Sequence, residues 1–176
     1  MKKILLVVGI LIFHGIGSGE LLACGDKFIV ASRGTRFERA GQARHGASIL
    51  VYMHATSTIP KAFERVSEDV TKKAGYRVTR VENATELDQA LRQGGWDVLL
   101  ADLADSPTVR GRVQSSGGPD APLLVPVAYG VTGTEIAQAK KEYQRVLKGP
   151  IKTYAFLAAM DDVLALRHKL LKSKTA

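Results

Sequence analysis

Short apolar runs of strand length alternate with segments of helical periodicity along most of this chain. The first run, Ser48–Tyr52, is mostly apolar and suits a strand that is buried on both faces. Strands that alternate with helices form a parallel sheet, because each parallel connection has to cross a face of the sheet. The sequence therefore predicts an α/β fold: a doubly wound, flavodoxin-like sheet of five parallel strands in the order 2-1-3-4-5.

Turn and capping signals bound the other predicted elements. The further strands are Tyr76–Val81, Trp96–Asp102, Pro122–Ala128 and Arg145–Leu147. The predicted helices run from Pro60 to Ala74, from Asn83 to Gly94, from Thr108 to Gln114, from Thr134 to Tyr143, and from Thr153 onward. In the first helix an apolar stripe is expected at Ala62, Phe63, Val66, Val70 and Ala74.

Two local signals within these elements make sharper predictions. Asn83 followed by Glu86 resembles a capping box, in which the two side chains satisfy each other's backbone N–H groups. Pro126 cannot donate a ladder hydrogen bond, so it predicts a bulge, an edge or the end of the fourth strand.

The first 23 residues have the pattern of a secretory signal peptide. Lys2 and Lys3 precede an apolar run from Ile4 to Ile12, which is too short to cross a bilayer comfortably, since spanning takes about 20 residues. An uncleaved N-terminal anchor is the alternative. We therefore expect a bacterial protein that is exported, and either periplasmic or attached to the envelope.

Cys24 is the only cysteine, which excludes an intramolecular disulfide and a cysteine-rich zinc site. The sequence from Leu21 to Cys24 resembles a bacterial lipobox, so Cys24 is a candidate for lipidation. Retention of Cys24 as a small buried apolar residue is the alternative.

The remaining chain divides into three predicted parts: an extension over residues 24–46, an α/β domain over 47–170 and a basic tail over 171–176. In the extension we predict a strand at Phe28–Ala31 and a short helix at Thr35–Arg44. A cluster of basic residues in this extension could bind an acidic group or form a solvated face: Arg33, Arg36, Arg39, Arg44 and His45.

The chain carries 25 Lys and Arg against 17 Asp and Glu, a formal charge of +8. A basic exported domain could lie against anionic lipid headgroups or an acidic partner, whereas export and the lack of a recognised motif argue against nucleic acid. No hydrolase, zinc-protease or thioredoxin motif is present, and Gly130–Gly133 lacks the ending of a phosphate loop. We therefore predict no enzymatic activity, no catalytic residue, no metal and no cofactor.

The segment Trp96–Asp102 resembles the third strand of bacterial response-regulator receiver domains, in which an aromatic-Asp-apolar run ends in the phosphoacceptor aspartate. The resemblance implies that Asp102 stands at the phosphoacceptor position. Lys148–Lys152, followed by the final helix, resembles the Lys-Pro turn of the same family. The likeness covers roughly residues 48–167, and it implies a partner-binding face over Thr134–Tyr154.

Three parts that the family uses for phosphotransfer are missing or displaced. Receivers hold Mg²⁺ with an acidic pair just after the first strand, but Tyr52–Thr56 contains no carboxylate. Asp105 follows the third strand, so it does not replace this pair. No hydroxyl residue is evident at the end of the fourth strand, and Gly149 stands where the family has lysine. We therefore predict a pseudo-receiver of the cell envelope that signals through an unknown protein partner.

Two alternatives stay open. One is a phosphorelay receiver that uses Asp102. The other is a small-ligand sensor, since ligands bind where the strand order of such sheets reverses. The residues expected in that crevice are His54, Thr56, Ser57, Asp102, Asp105 and Lys148. A histidine and an aspartate there could hold a metal or act as acid and base, but no spacing motif supports either role.

Overall fold

The computed structural model describes residues 46–116, 118 and 120–175. The predicted signal peptide, the candidate lipidation site Cys24 and the arginine cluster of the extension lie outside these residues. Within the described part of the chain, no helix combines the length and the apolar character that a membrane crossing needs.

Five parallel strands form one sheet in the order β2-β1-β3-β4-β5, which confirms the predicted fold class. The strands are β1 (Ala47–Tyr52), β2 (Tyr76–Val81), β3 (Val98–Asp102), β4 (Leu123–Ala128) and β5 (Leu147–Lys148). Apolar side chains alternate between the two faces, as the pleat of a strand requires. On β1, for example, Ile49 and Val51 belong to one core cluster and Leu50 to the other.

Helices cover both faces of the sheet. They are α1 (Ile59–Ala62), α2 (Glu68–Lys73), α3 (Ala84–Gln93), α4 (Ser106–Ser116), α5 (Gly133–Glu142) and α6 (Thr153–Thr175). Residues of α1 and α6 join the core cluster on one face, and α3 and α4 supply the cluster on the other. The central strands β1 and β3 are buried along nearly their whole length because both of their faces are covered.

The helix predicted from Pro60 to Ala74 is wrong, because the chain forms α1 and α2 with a turn between them. The hydroxyl of Thr153 accepts a hydrogen bond from the Ser67 N–H and donates one to the Arg65 carbonyl, both at 3.0 Å. Ser67 also caps α2. Val70, expected in the apolar stripe, is 40% exposed. A contact with the start of α6, 86 residues away in sequence, thus overrides the local periodicity.

The predicted capping box at Asn83 is half correct. Asn83 accepts a hydrogen bond from the Glu86 N–H at 2.9 Å, but the Glu86 carboxylate accepts from the Glu82 N–H instead of that of Asn83. A complete capping box stands at the start of α5, where Thr132 and Glu135 satisfy each other's backbone N–H groups. These hydrogen bonds from Thr132 hold the pKa of Glu135 below its ordinary value.

Pro126 lies inside β4, opposite Ala101 of β3. On its other side β5 pairs only with Val127 and Ala128, so that side of β4 is an edge at Pro126. The edge interpretation of this proline is therefore confirmed.

Candidate functional site

The carboxyl ends of β1 and β3 lie side by side, since the two strands pair in parallel. The loops that follow them leave the sheet at the same edge, where the strand order reverses. We call the five residues that meet there the carboxyl-edge cluster: His54, Ser57, Thr58, Asp102 and Asp105.

Asp102 is the last residue of β3 and is only 6% exposed. One carboxylate oxygen accepts hydrogen bonds from Ser57 Oγ at 2.5 Å and from the Thr58 N–H at 3.0 Å, and the other accepts from Thr58 Oγ1. Thr58 is the N-cap of α1 but makes no side-chain cap bond of its own. Asp102 therefore holds the loop after β1 and the first turn of α1, and both of its oxygens are engaged.

His54 and Asp105 form a second, half-buried pair in the same cluster. His54 Nε2 lies 2.7 Å from Asp105 Oδ2, and the Thr56 N–H donates to His54 Nδ1 at 3.3 Å. Because a backbone N–H can only donate, Nδ1 is the accepting nitrogen. The ring proton is therefore assigned to Nε2, which donates it to Asp105.

Asp105, predicted in this crevice, does lie beside Asp102 and His54, although it follows β3 and not β1. The Asp105 N–H donates to the Asp102 carbonyl at 3.1 Å, and this turn brings the Asp105 side chain back over the end of β3. Ligand atoms of His54, Asp102 and Asp105 all lie within 4.8 Å of one another. The cluster thus holds one carboxylate besides Asp102, with an imidazole beside it.

Lys148, predicted in the same crevice, lies on β5 opposite Ala128, two strands away from β3. Among the described residues, no hydrogen bond or ion pair joins it to Asp102. Gly149 follows Lys148, and a Cβ atom at this position would lie 2.7 Å from the Ala62 Cβ. Chain packing against α1 therefore leaves no room for a side chain directly before Pro150, where the receiver family has its lysine.

The cluster contains two carboxylates and no permanent cation. In the described part of the chain, neither Asp102 nor Asp105 forms an ion pair with a lysine or arginine. Thr58, which sequence reasoning missed, supplies two of the three hydrogen bonds to Asp102. Its position just before Ile59-Pro60, a helix start, is the signal that could have identified it.

The face predicted to bind a partner has a basic groove along β5 and the flanking helices, with a volume of about 530 Å³. Lys140, Arg145 and Lys148 line this groove, and the nearby Tyr154 is 54% exposed. Tyr143, expected on this surface, is instead only 7% exposed, and the Arg110 guanidinium lies 4.0 Å from its ring centroid. Burial raises the pKa of Tyr143 above its ordinary value.

A second cavity, of about 880 Å³, lies between the sheet and the broken first helix. Its apolar lining includes Ile49, Val51, Phe63 and Phe156, and none of the carboxyl-edge cluster lines it. The break between α1 and α2 leaves this part of the sheet face incompletely covered.

No known protein family matches the sequence, and no curated protein matches it. Among solved structures, the chain is similar to the solution structure of the beryllofluoride-activated NtrC receiver domain, with 17% sequence identity and a TM-score of 0.36. The similarity covers 73% of this chain and 96% of that domain. The fold assignment therefore rests on the strand order and on the parallel pairing of the strands.

Proposed function

We propose that this protein is a receiver-like signalling module that acts through protein–protein contact and does not transfer phosphoryl groups. The observation that carries the proposal is the environment of Asp102. Both of its oxygens accept hydrogen bonds from Ser57 and Thr58, and the side chain is 6% exposed. A phosphoacceptor oxygen has to attack the incoming phosphoryl group, and these hydrogen bonds and the burial of Asp102 reduce its nucleophilicity and its access to a phosphoryl donor.

The surroundings of Asp102 support the same conclusion. Phosphoryl transfer to aspartate needs Mg²⁺ to neutralise the phosphoryl oxygens, and Mg²⁺ prefers carboxylates and water in an octahedral shell. The loop after β1 contributes a hydroxyl pair and an imidazole in place of carboxylates. The lysine of the receiver Lys-Pro turn is replaced by Gly149, which is closely packed against Ala62.

The phosphotransfer part of the proposal is tested by treating the purified protein with acetyl phosphate and Mg²⁺ and measuring its intact mass. We expect no phosphorylated species beyond the level of Asp102→Asn. Beryllofluoride with Mg²⁺, followed by ¹⁹F NMR, should likewise give no bound signal. The fluorescence of Trp96 is not suited to detecting a change at Asp102. Trp96 lies before β3, at the opposite edge of the sheet, where its indole N–H donates to the Ala90 carbonyl. A phosphoryl or beryllofluoride adduct that forms on the unchanged protein and is lost in Asp102→Asn would contradict the proposal.

The partner surface that we propose is the groove along β5. Its lysines Lys140 and Lys148 are exposed and face a partner with a complementary, acidic surface. A photo-reactive residue at Tyr154 should crosslink such a partner in envelope fractions, and Lys140→Glu together with Lys148→Glu should abolish the adduct. Lys73→Glu, on α2 at the far edge of the sheet, is the matched control. Equal adduct yields in all three proteins would contradict this surface.

The proposed location in the cell envelope rests on the pattern of the first 23 residues and on Cys24. Fractionation and the mass of the mature N-terminus test it. Export predicts a chain that begins near Cys24, with an added lipid if the cysteine is modified. A full-length chain in the cytosol would contradict the location and would return phosphorelay to consideration.

Small-ligand sensing is the second candidate function, and the cavity of about 880 Å³ favours it. Its volume lies within the range of small-molecule sites, and its floor is apolar. An apolar dye should bind there and raise the melting temperature by mass action. Val51→Trp, which places a larger side chain in the lining, should abolish the binding if this cavity is the site.

A further inference from the structure

The carboxyl edge holds a buried carboxylate that no lysine or arginine of the described residues balances. Asp102 is 6% exposed, and its hydrogen-bond donors Ser57 and Thr58 are neutral. Asp105 adds a second carboxylate, and its partner His54 carries its ring proton on Nε2 in the neutral tautomer. Buried charges in proteins are as a rule paired with an opposite charge or coordinate a metal. The unbalanced charge on Asp102 is therefore evidence for a cation that is independent of the spacing of the side chains.

The spacing of the three side chains suits one ion. Ligand atoms of His54, Asp102 and Asp105 lie within 4.8 Å of one another. The side chains of His54 and Asp105 are 32% and 29% exposed, so the site is open to an entering ion without being a solvated surface patch. They come from the loops after β1 and β3, which the parallel pairing of the two strands holds in place.

We propose that His54, Asp102 and Asp105 bind a divalent transition-metal ion of the zinc class. An imidazole nitrogen with carboxylate oxygens suits Zn²⁺ and Co²⁺, whereas Mg²⁺ prefers an oxygen-only octahedral shell. The imidazole thus sets this donor set apart from that of a receiver, which contains oxygen atoms alone. Three protein ligands leave a fourth position of a tetrahedral ion for water. The proposal does not depend on the partner contact proposed above.

Binding requires the three ligand atoms, which lie within 4.8 Å of one another, to shift into place around the ion. Asp102 keeps its hydrogen bonds and binds the ion through a remaining lone pair of its carboxylate. The ion replaces the proton that His54 Nε2 donates to Asp105, and the ring proton moves to Nδ1, so that the imidazole stays neutral. Nδ1 then donates to Thr56 Oγ1, which lies 2.9 Å away. The distance from Nε2 to Asp105 Oδ2 has to widen from 2.7 Å to roughly 3.3 Å, as tetrahedral zinc bonds require. A metal-bound histidine commonly donates its other ring N–H to an oxygen in this way.

Calorimetric titration of the chelator-treated full chain with ZnCl₂ and with MgCl₂ tests the site. We expect Zn²⁺ to bind and Mg²⁺ to give no binding heat. His54→Gln and Asp105→Asn should each weaken the Zn²⁺ affinity by roughly tenfold or more. His168→Gln, which changes an exposed histidine on α6, is the matched control and should bind as the unchanged protein does.

Nitrogen-15 NMR of histidine-labelled unchanged protein gives a readout that does not depend on the folding of a variant. Zn²⁺ should shift the Nε2 resonance of His54 and leave its Nδ1 protonated. A shift confined to another histidine would overturn the proposal. So would Zn²⁺ affinity that His54→Gln and Asp105→Asn leave unchanged, an equal loss in His168→Gln, or Mg²⁺ binding as tight as that of Zn²⁺.

Discussion

Two aspartates lie at the two ends of β3, and their carboxylates have different hydrogen-bond partners. Asp97, just before the strand, accepts hydrogen bonds from the Ser48 N–H and from Arg167 of α6, each at 2.9 Å. Asp102, at the other end, accepts from a backbone N–H and two hydroxyl groups, and within residues 46–116, 118 and 120–175 it forms no ion pair with a lysine or arginine. A carboxylate that is neutralised by arginine is suited to holding the fold together. A carboxylate held only by neutral donors keeps its charge available for a ligand.

The amino edge of the sheet has a second tie to α6. Tyr76, the first residue of β2, donates its hydroxyl to Asp161 Oδ1 at 2.6 Å. Burial raises the pKa of Tyr76, and burial also raises the pKa of Asp161. Together with Arg167, this contact fastens the last helix to strands 70 to 85 residues earlier in the chain. The contacts at the amino edge therefore stabilise the fold, whereas the carboxyl edge carries the metal site that we propose.

The largest effect is expected at Arg167. Arg167→Ala removes the partner of Asp97 and the hydrogen bonds to the Trp96 and Asp120 carbonyls. The side chains of Arg167 and Asp97 are 16% and 29% exposed, so the loss of Arg167 leaves a half-buried carboxylate without its cation. We expect the free energy of unfolding, measured with urea, to fall by about 3 kcal/mol.

Arg145→Ala is the matched control for this change, because its ion pair with Asp162 is largely exposed, at 44% and 63%. Loss of a surface pair should cost less than about 1 kcal/mol. Equal losses in the two variants would show that the Arg167 contacts do not stabilise the amino edge as described.

A smaller loss is expected at Asp102. Asp102→Ala leaves the N–H and hydroxyl of Thr58 and the hydroxyl of Ser57 without their acceptor, which should cost about 2 kcal/mol. Asp102→Asn keeps one carbonyl acceptor and should cost roughly half as much. Thermal melts of both variants check the order. If Asp102→Ala were as stable as the unchanged protein, Asp102 would not be holding the loop after β1.

Gly149→Ala tests why the carboxyl edge lacks a lysine before Pro150. The added methyl group would lie 2.7 Å from the Ala62 Cβ and 3.0 Å from the Tyr129 ring, so α1 has to shift. We expect a loss of about 1 to 2 kcal/mol in urea unfolding. Gly111→Ala on α4, where the new Cβ would meet nothing within 4 Å, should instead stabilise by up to about 1 kcal/mol. If Gly149→Ala left the free energy of unfolding unchanged, close packing against α1 would not explain the absence of a lysine before Pro150.

The smallest effect concerns the pH dependence of the amino edge. Because the pKa of Tyr76 is raised in the folded state, its contribution to stability is present below its ordinary pKa of 10.0 and is lost as pH rises above that value. Tyr76→Phe removes this dependence and should cost about 1 kcal/mol at neutral pH. Melting temperatures between about pH 8 and pH 11 measure how steeply the stability falls with pH. Tyr154→Phe, on an exposed side chain, should leave it unchanged.

Most of the fold could be predicted from the sequence, because the run length and polarity of its segments are local properties. β1 is buried on both faces, as its apolar run predicts, and β2 lies at the edge that the predicted strand order gives it. The final helix, predicted from Thr153 onward, likewise buries its apolar residues Phe156, Leu157, Met160 and Val163.

The candidate site could be predicted only in part. His54, Ser57 and Asp102 do meet at the carboxyl edge, as the parallel topology requires. Asp105, also predicted there, joins them through the turn after β3, whereas Thr58 was missed. Lys148 is not joined to Asp102 and lies on β5, two strands away from β3.

The sequence by itself determined the alternation of strands and helices, and hence the strand order, since right-handed crossovers leave few arrangements for so short a chain. Only the tertiary structure decided which side chains neutralise which charges. Arg167 reaches Asp97 across 70 residues, while no lysine or arginine bonds Asp102 in the described part of the chain. Pairings of this kind depend on how whole helices and strands pack in three dimensions, so they cannot be predicted from the hydropathy pattern.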